Sequence, residues 1–185
     1  MDIQGERRLI AGRDAVWRAL NDVEVLRDCI PGCQKLERVS DTVIEATIAA
    51  QIGPVKAPFV SRIELKDLDP PRAYTLVGEG KSAAAGFGRG EARVALEEEA
   101  GVTTLRYTAE LKLGGKIAQI GARLVEGATR QLADQFFTKF AARFEQPAAA
   151  AAPPAPAPGR RHSTYLWILI ALAGLLGFVY WLTAR

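Results

Sequence analysis

From Ile44 to Leu113 the chain alternates apolar and polar residues with a period of two. A run that long fits antiparallel strands and excludes an amphipathic helix over the same residues. Ile44, Ala46, Ile48, Ala50 and Ile52 alternate with Glu45, Thr47 and Gln51. After Gly53-Pro54, a turn pair, Val55, Ala57, Phe59, Ser61, Ile63 and Leu65 alternate with Lys56, Arg62, Glu64 and Lys66. Asp69-Pro70-Pro71 turns the chain again, and Tyr74, Leu76 and Gly78 continue on a third strand. Gly88, Gly90, Ala92, Val94 and Leu96 then oppose Arg89, Glu91, Arg93 and Glu97. Beyond Ala100-Gly101, Thr103, Leu105, Tyr107, Ala109, Leu111 and Leu113 oppose Thr104, Arg106, Thr108 and Glu110. Each strand has one apolar and one charged face, so the sheet is covered on one side only.

The flanking segments supply the cover. Asp2–Ala11 reads as a first strand, and Arg13–Asp22 as a helix with Val16, Trp17 and Leu20 on one face. Val23–Ile30 is a second short helix, ended by Pro31-Gly32. After Gly114-Gly115 a helix of about thirty residues is expected. Ile117, Ile120, Leu124 and Ala128 share a face, and Leu132, Phe136, Phe140 and Phe144 follow at steps of four. Such steps drift about 40° each time, so the apolar stripe winds around the helix. A twisted sheet can bury a winding stripe, and so can a second partner for the phenylalanines. The expected fold is α+β: a curved antiparallel sheet gripping a long C-terminal helix.

The inward sheet face is rich in small residues: Ala46, Ala50, Ala57, Ser61, Gly78, Gly88, Gly90, Ala92 and Ala109. Either the helix lies close against them, or space remains for an apolar guest. The guest reading gives a candidate lining of Ile48, Ala50, Phe59, Ser61, Ile63, Leu76, Phe87, Gly88, Gly90, Leu96, Tyr107 and Leu113 from the sheet. Ile117, Ile120 and Leu124 of the helix would close it. Tyr107 and Ser61 are its polar members, able to hydrogen-bond a ligand carbonyl or to satisfy the core. The stretch GEGKSAAAGFGRG, Gly78–Gly90, contains no GxxxxGK[ST], and a strand follows it where a dinucleotide fingerprint needs a helix. It is a glycine-rich hairpin, or a flap at the cavity mouth with Phe87 at its tip and Lys81 and Arg89 nearby.

Three further features bound the function. Residues 146–163, QPAAAAAPPAPAPGRRHS, hold five of the ten prolines and read as an Ala/Pro-rich linker with an extended reach on the order of 50 Å. Residues 164–184 contain YLWILIALAGLLGFVYWL, eighteen residues without charge or proline, flanked by aromatics. As a helix this is about 27 Å long, which matches a bilayer core. Arg160 and Arg161 precede it and only Arg185 follows, and Met1–Ile10 carries no apolar signal region. The expected topology is a single pass through the cell inner membrane with the N-terminal domain, residues 1–145, in the cytoplasm.

The formal charge of +3 lies in the tail (Arg160, Arg161, Arg185). Lys and Arg balance Asp and Glu over residues 1–145, so nothing drives nucleic-acid binding. Cys29 and Cys33, in CIPGC, would be free thiols in a cytoplasm, with packing, redox and metal roles all open. The only histidine is His162, and no catalytic or metal-ligating cluster is apparent. No enzymatic activity, metal or covalent cofactor is therefore expected.

Four stretches together resemble the G-subunit family of carbon monoxide dehydrogenase, within the START-like (SRPBCC) superfamily. They are Val16–Asp22 (VWRALND), Cys29–Cys33 (CIPGC), Leu68–Tyr74 (LDPPRAY), and the glycine-rich Gly78–Gly90 running into Glu91-Ala92-Arg93-Val94. The resemblance covers about Met1–Phe144. It implies an accessory protein that holds a molybdenum-containing carbon monoxide dehydrogenase at the inner face of the cytoplasmic membrane. An apolar pocket on a tether suits a quinone or lipid, which would couple such an enzyme to respiration. The alternatives are a general carrier of lipids or small hydrophobic molecules without a dehydrogenase partner and, with no catalytic groups to support it, a START-like cyclase or hydrolase.

Overall fold

The computed structural model describes residues 1–145. The linker and the expected transmembrane segment lie outside them. Among the described residues no helix is long and apolar enough to cross a membrane.

The chain opens with β1 (Asp2–Leu9), α1 (Arg13–Leu20) and α2 (Val23–Cys29). A meander follows: β2 (Cys33–Ser40), β3 (Val43–Ile52), β4 (Val55–Asp69), β5 (Ala73–Ser82), β6 (Gly86–Glu99) and β7 (Val102–Gly114). Two helices end it, α3 (Lys116–Gln119) and α4 (Ala122–Glu145). The seven strands form one antiparallel sheet in the order β1-β7-β6-β5-β4-β3-β2. The registers line up the residues expected to face inward. Ile44 pairs with Ile63, Ile63 with Gly78, Gly78 with Gly90, and Gly90 with Leu111. Ile44, Ala46, Leu65, Tyr74, Val94, Leu96 and Leu105 are buried, while Glu45, Arg62, Glu64, Arg93 and Glu97 are exposed. One face of the sheet is thus dry and the other wet.

The short helices are fixed by side chains that replace missing backbone partners. Asp22 caps α2 by accepting from the amides of Glu24 (2.9 Å) and Val25 (3.3 Å). α1 has no side-chain cap of its own. Glu98 of β6 accepts from the Arg13 amide at 2.6 Å instead, which places a carboxylate at the positive end of α1 and ties that helix to the sheet.

The CIPGC stretch is a turn that presses on β3. Gly32 has φ +70°, and a Cβ there would lie 2.2 Å from the Ala49 carbonyl oxygen. The Ala49 amide donates to the Gly32 carbonyl at 2.8 Å. Gly32→Ala combines left-handed strain with a backbone clash and is expected to cost about 2 kcal/mol or more. Urea denaturation followed by circular dichroism measures it. Both cysteines are free. Burial pushes each thiol up from its ordinary value, against the opposing pull of Arg143 at Cys29 and of Arg27 at Cys33.

Three details differ from the sequence reading. β1 stops at Leu9, two residues early. β2 was not singled out by alternation; it is a sheet edge on which only Leu36 is buried, so its sequence shows no dry face. The long helix is two helices, because Gly121 takes φ +103° between α3 and α4. A left-handed residue ends one helix and lets the next set off in a new direction. α4 then touches α2, β1 and β3. Phe140 is fully buried in the same core as Val16, Leu20, Cys29 and Leu36, so the domain's own helices cover the terminal phenylalanines.

Candidate functional site

Between the sheet's dry face and the helices lies an apolar cavity of about 340 Å³. Its floor comes from the sheet: Leu36, Ile44, Ile63, Leu65, Tyr74, Leu76, Ala92, Val94, Leu105 and Tyr107. Leu20 of α1, Leu26 of α2 and the adjoining Ile30 form one side, and Phe136 and Phe137 of α4 form the roof. None of these side chains is charged. Leu26, Ile30, Ile63, Leu76, Tyr107, Phe136 and Phe137 keep partial exposure, so the cavity has an open side.

Aromatic packing sets the spacing of the roof. Phe136, Phe137, Phe140 and Phe144 form a ladder with ring centres 5.1–5.5 Å apart. Tyr107 stacks on Phe137 at 5.4 Å and 21°. The Tyr107 ring lies across Gly5, where a Cβ would fall 2.5 Å from its hydroxyl oxygen, so a larger residue at position 5 would push the ring away. Arg7, on the same strand, ion-pairs with Asp134 of α4, and its guanidinium sits 5.5 Å from the centre of the Phe137 ring. That is cation–π geometry, and it fastens β1 to α4 beside the cavity.

Tyr74 and Tyr107 carry the only polar side-chain atoms on the lining. Burial holds the Tyr74 phenol above its ordinary range, so it stays protonated and a donor at physiological pH. The Tyr74 ring meets the edge of Trp17 at 5.4 Å. An uncharged, almost wholly apolar cavity fits an apolar guest. Among the described residues no cluster of metal-ligating side chains is present.

Of the residues expected at the site, Ile63, Leu76 and Tyr107 line the cavity. Leu96 is buried in the core instead. Ile48 packs against the main core. Ala50, Phe59, Ser61, Gly88, Gly90 and Leu113 lie on the same sheet face outside the cavity lining, and Ile117 and Ile120 belong to α3 and its C-cap, which meets β6 and β7. Ala50, Ala57, Ala85, Ile117 and Val125 are each buried, and the Ile117 amide donates to the Ala85 carbonyl. Leu124 points to solvent, 55 % exposed. Phe87 has the opposite strand parity to Gly88 and Gly90. It stands on the convex face with its ring over Gly114 and under the Arg89 guanidinium. The glycine-rich segment is a β5–β6 hairpin, and its aromatic residue points away from the cavity.

The sequence reading missed Leu20, Leu26, Leu36, Phe136 and Phe137 as lining. Their apolar spacing was visible, but which end of the sheet they would meet was not. The cavity forms where bulky side chains hold the helices off the sheet. Of the small inward residues Ala92 alone lines the cavity, while Ala46, Ala50 and Ala57 are buried outside it.

The family model for the carbon monoxide dehydrogenase G subunit, CoxG, matches residues 5–144. The chain belongs to the CoxG family. A conserved protein of Geobacillus kaustophilus, known from its crystal structure, is 31 % identical with a TM-score of 0.74, over 78 % of this chain and 95 % of that one. The fold is START-like. A START superfamily protein from Mycobacterium smegmatis aligns with a TM-score of 0.59 at 9 % identity, over 78 % of this chain and 97 % of that one. The Zhui aromatase/cyclase from Streptomyces sp. R1128 aligns at 0.61 and 18 %, over 82 % and 98 %. No curated protein matches the sequence. In this CoxG domain, CIPGC is the α2–β2 turn and the glycine-rich segment is the β5–β6 hairpin.

Proposed function

We propose that this CoxG family member is a membrane-anchored accessory protein whose cavity takes the ring of a quinone. In this reading it serves a cytoplasmic molybdenum hydroxylase of the carbon monoxide dehydrogenase type at the inner membrane, and contributes no catalytic group of its own. The observation that carries the reading is the uncharged, apolar cavity walled by aromatic rings. Its size narrows the guest. About 340 Å³ is near the lower end of ligand sites, enough for a ring system and too small for a whole long-tailed lipid. The tail of such a guest leaves by the open side. The partner follows from the family, and the membrane address from the eighteen-residue apolar segment. Oxidation of carbon monoxide with water to carbon dioxide releases two electrons and two protons, which one quinone takes up as quinol.

Mass spectrometry of the organic extract of the full chain, purified from its own membranes, tests the guest. Quinone enriched over the bulk membrane supports the proposal. Enriched phospholipid alone favours a general lipid carrier, and no enriched molecule overturns both. Truncation before Tyr165 is expected to move dehydrogenase activity from the membrane to the soluble fraction. Activity that stays with the membrane removes the anchoring role.

A further inference from the structure

Three segments far apart in sequence meet at the end of the sheet opposite α1 and α2. The β3–β4 tip comes within van der Waals reach of α3: a Cβ on Gly53 would lie 3.4 Å from Ile120 Cγ2. The β5–β6 tip touches the β7–α3 junction, with the Ile117 amide donating to the Ala85 carbonyl at 2.9 Å. This end is apolar at its points. Pro54, Ala83, Ala84 and Leu124 are exposed, Ile52, Val55 and Ile120 are half-buried, and Phe87 is 41 % exposed.

The same end is basic. Residues 51–60, 79–90 and 111–126 hold six Lys and Arg against two Glu, in a domain whose charges balance as a whole. Glu79 is shared by Lys81 and Arg89, and Glu126 is paired with Arg130. Lys56, Lys112, Lys116 and Arg123 are exposed and form no ion pair among the described residues.

The geometry points to this end as a docking surface for an anionic lipid bilayer. Separate apolar points ringed by long basic side chains match the interfacial region, where the points enter the headgroup layer and the cations stay in it. A half-exposed aromatic beneath an arginine suits the same depth. An acidic protein surface would satisfy the charges but gives no role to apolar tips on three separate segments. Chain length permits this orientation. α4 starts at this end and runs about 36 Å away from it. Residues 146–163, with a reach on the order of 50 Å, can return to the plane where the tips rest. Such docking is independent of what fills the cavity.

Hydrogen–deuterium exchange on the full chain tests it, in vesicles of phosphatidylcholine alone and of phosphatidylcholine mixed with phosphatidylglycerol. The expected result is slower exchange at 52–56, 83–87 and 119–124 in the mixed vesicles only, reversed by salt. The double variant Lys116→Glu, Arg123→Glu should abolish the difference, since each basic residue near an anionic surface is worth about fivefold in binding. Both positions are exposed, so the fold is preserved. Identical exchange in the two vesicles overturns the inference. So does protection that appears only when the dehydrogenase is added, which would assign the surface to a protein partner.

Discussion

Ala92→Phe is expected to lower occupancy of the cavity by an apolar guest about tenfold or more while leaving thermal stability within about 1 kcal/mol of the parent. Ala92 lies on the cavity floor, between Leu76 on β5 and Ala109 on β7. A phenyl group there takes much of the 340 Å³ and meets the ring of any guest. Occupancy and stability have to be read together. If the space were already filled by the protein's own side chains, the added ring would overpack the core and cost about 1–3 kcal/mol. Quinone or fatty-acid content by mass spectrometry, read beside a thermal melt, separates the cases. Retained guest shows that binding occurs elsewhere. Lost guest with a large fall in melting temperature shows a packed core.

Phe140→Ala is expected to destabilise the domain by about 3–5 kcal/mol, the usual cost of deleting a fully buried ring. Phe140 is 0 % exposed, stacked on Phe136 at 5.5 Å and met edge-on by Phe144 at 5.3 Å. It ties α4 to the core beneath α1 and α2. At this chain size the loss corresponds to roughly 6–20 °C in the melting midpoint. Phe144→Ala, one step along the ladder at a half-buried position, should cost markedly less. Equal losses at both positions would mean that the end of α4 is held as a unit and not by the buried ring.

The sheet was legible because its strands obey one rule over most of their length. Ile44 and Ala46 on β3, Val94 and Leu96 on β6, and Thr103 and Leu105 on β7 are buried at alternate positions since one face must stay dry. Turn chemistry at Gly53-Pro54 and Ala100-Gly101 set the boundaries, and both occur where expected. β2 was not legible, because an edge strand with one buried residue carries no alternation to read. Gly121 was not legible as a helix break either. A lone glycine in a helical run is usually tolerated, as Gly127 is within α4.

The site was partly legible, and for a physical reason. Strand parity places Leu76 and Tyr107 on the correct face, yet it cannot tell which end of that face the helices will crowd. Small residues suggested emptiness, but Ala50 and Ala57 are buried outside the cavity and only Ala92 of that set lines it. Emptiness follows from large side chains that prop the layers apart, here Phe136 and Phe137. Parity also sends Phe87 to the outer face, a consequence that its position between two inward glycines obscured.

The strand order has one more consequence. β1 is made first, yet it pairs with β7, so that Asp2 faces Glu110 across the ladder. Until the ribosome has released most of the domain, β1 has no mate. Afterwards it is the cap that keeps the rim of β7 from recruiting another polypeptide. Deleting β1 would therefore bare β7 and also remove Arg7 from Asp134 and Phe137, so its expected effects are self-association and a loosened α4.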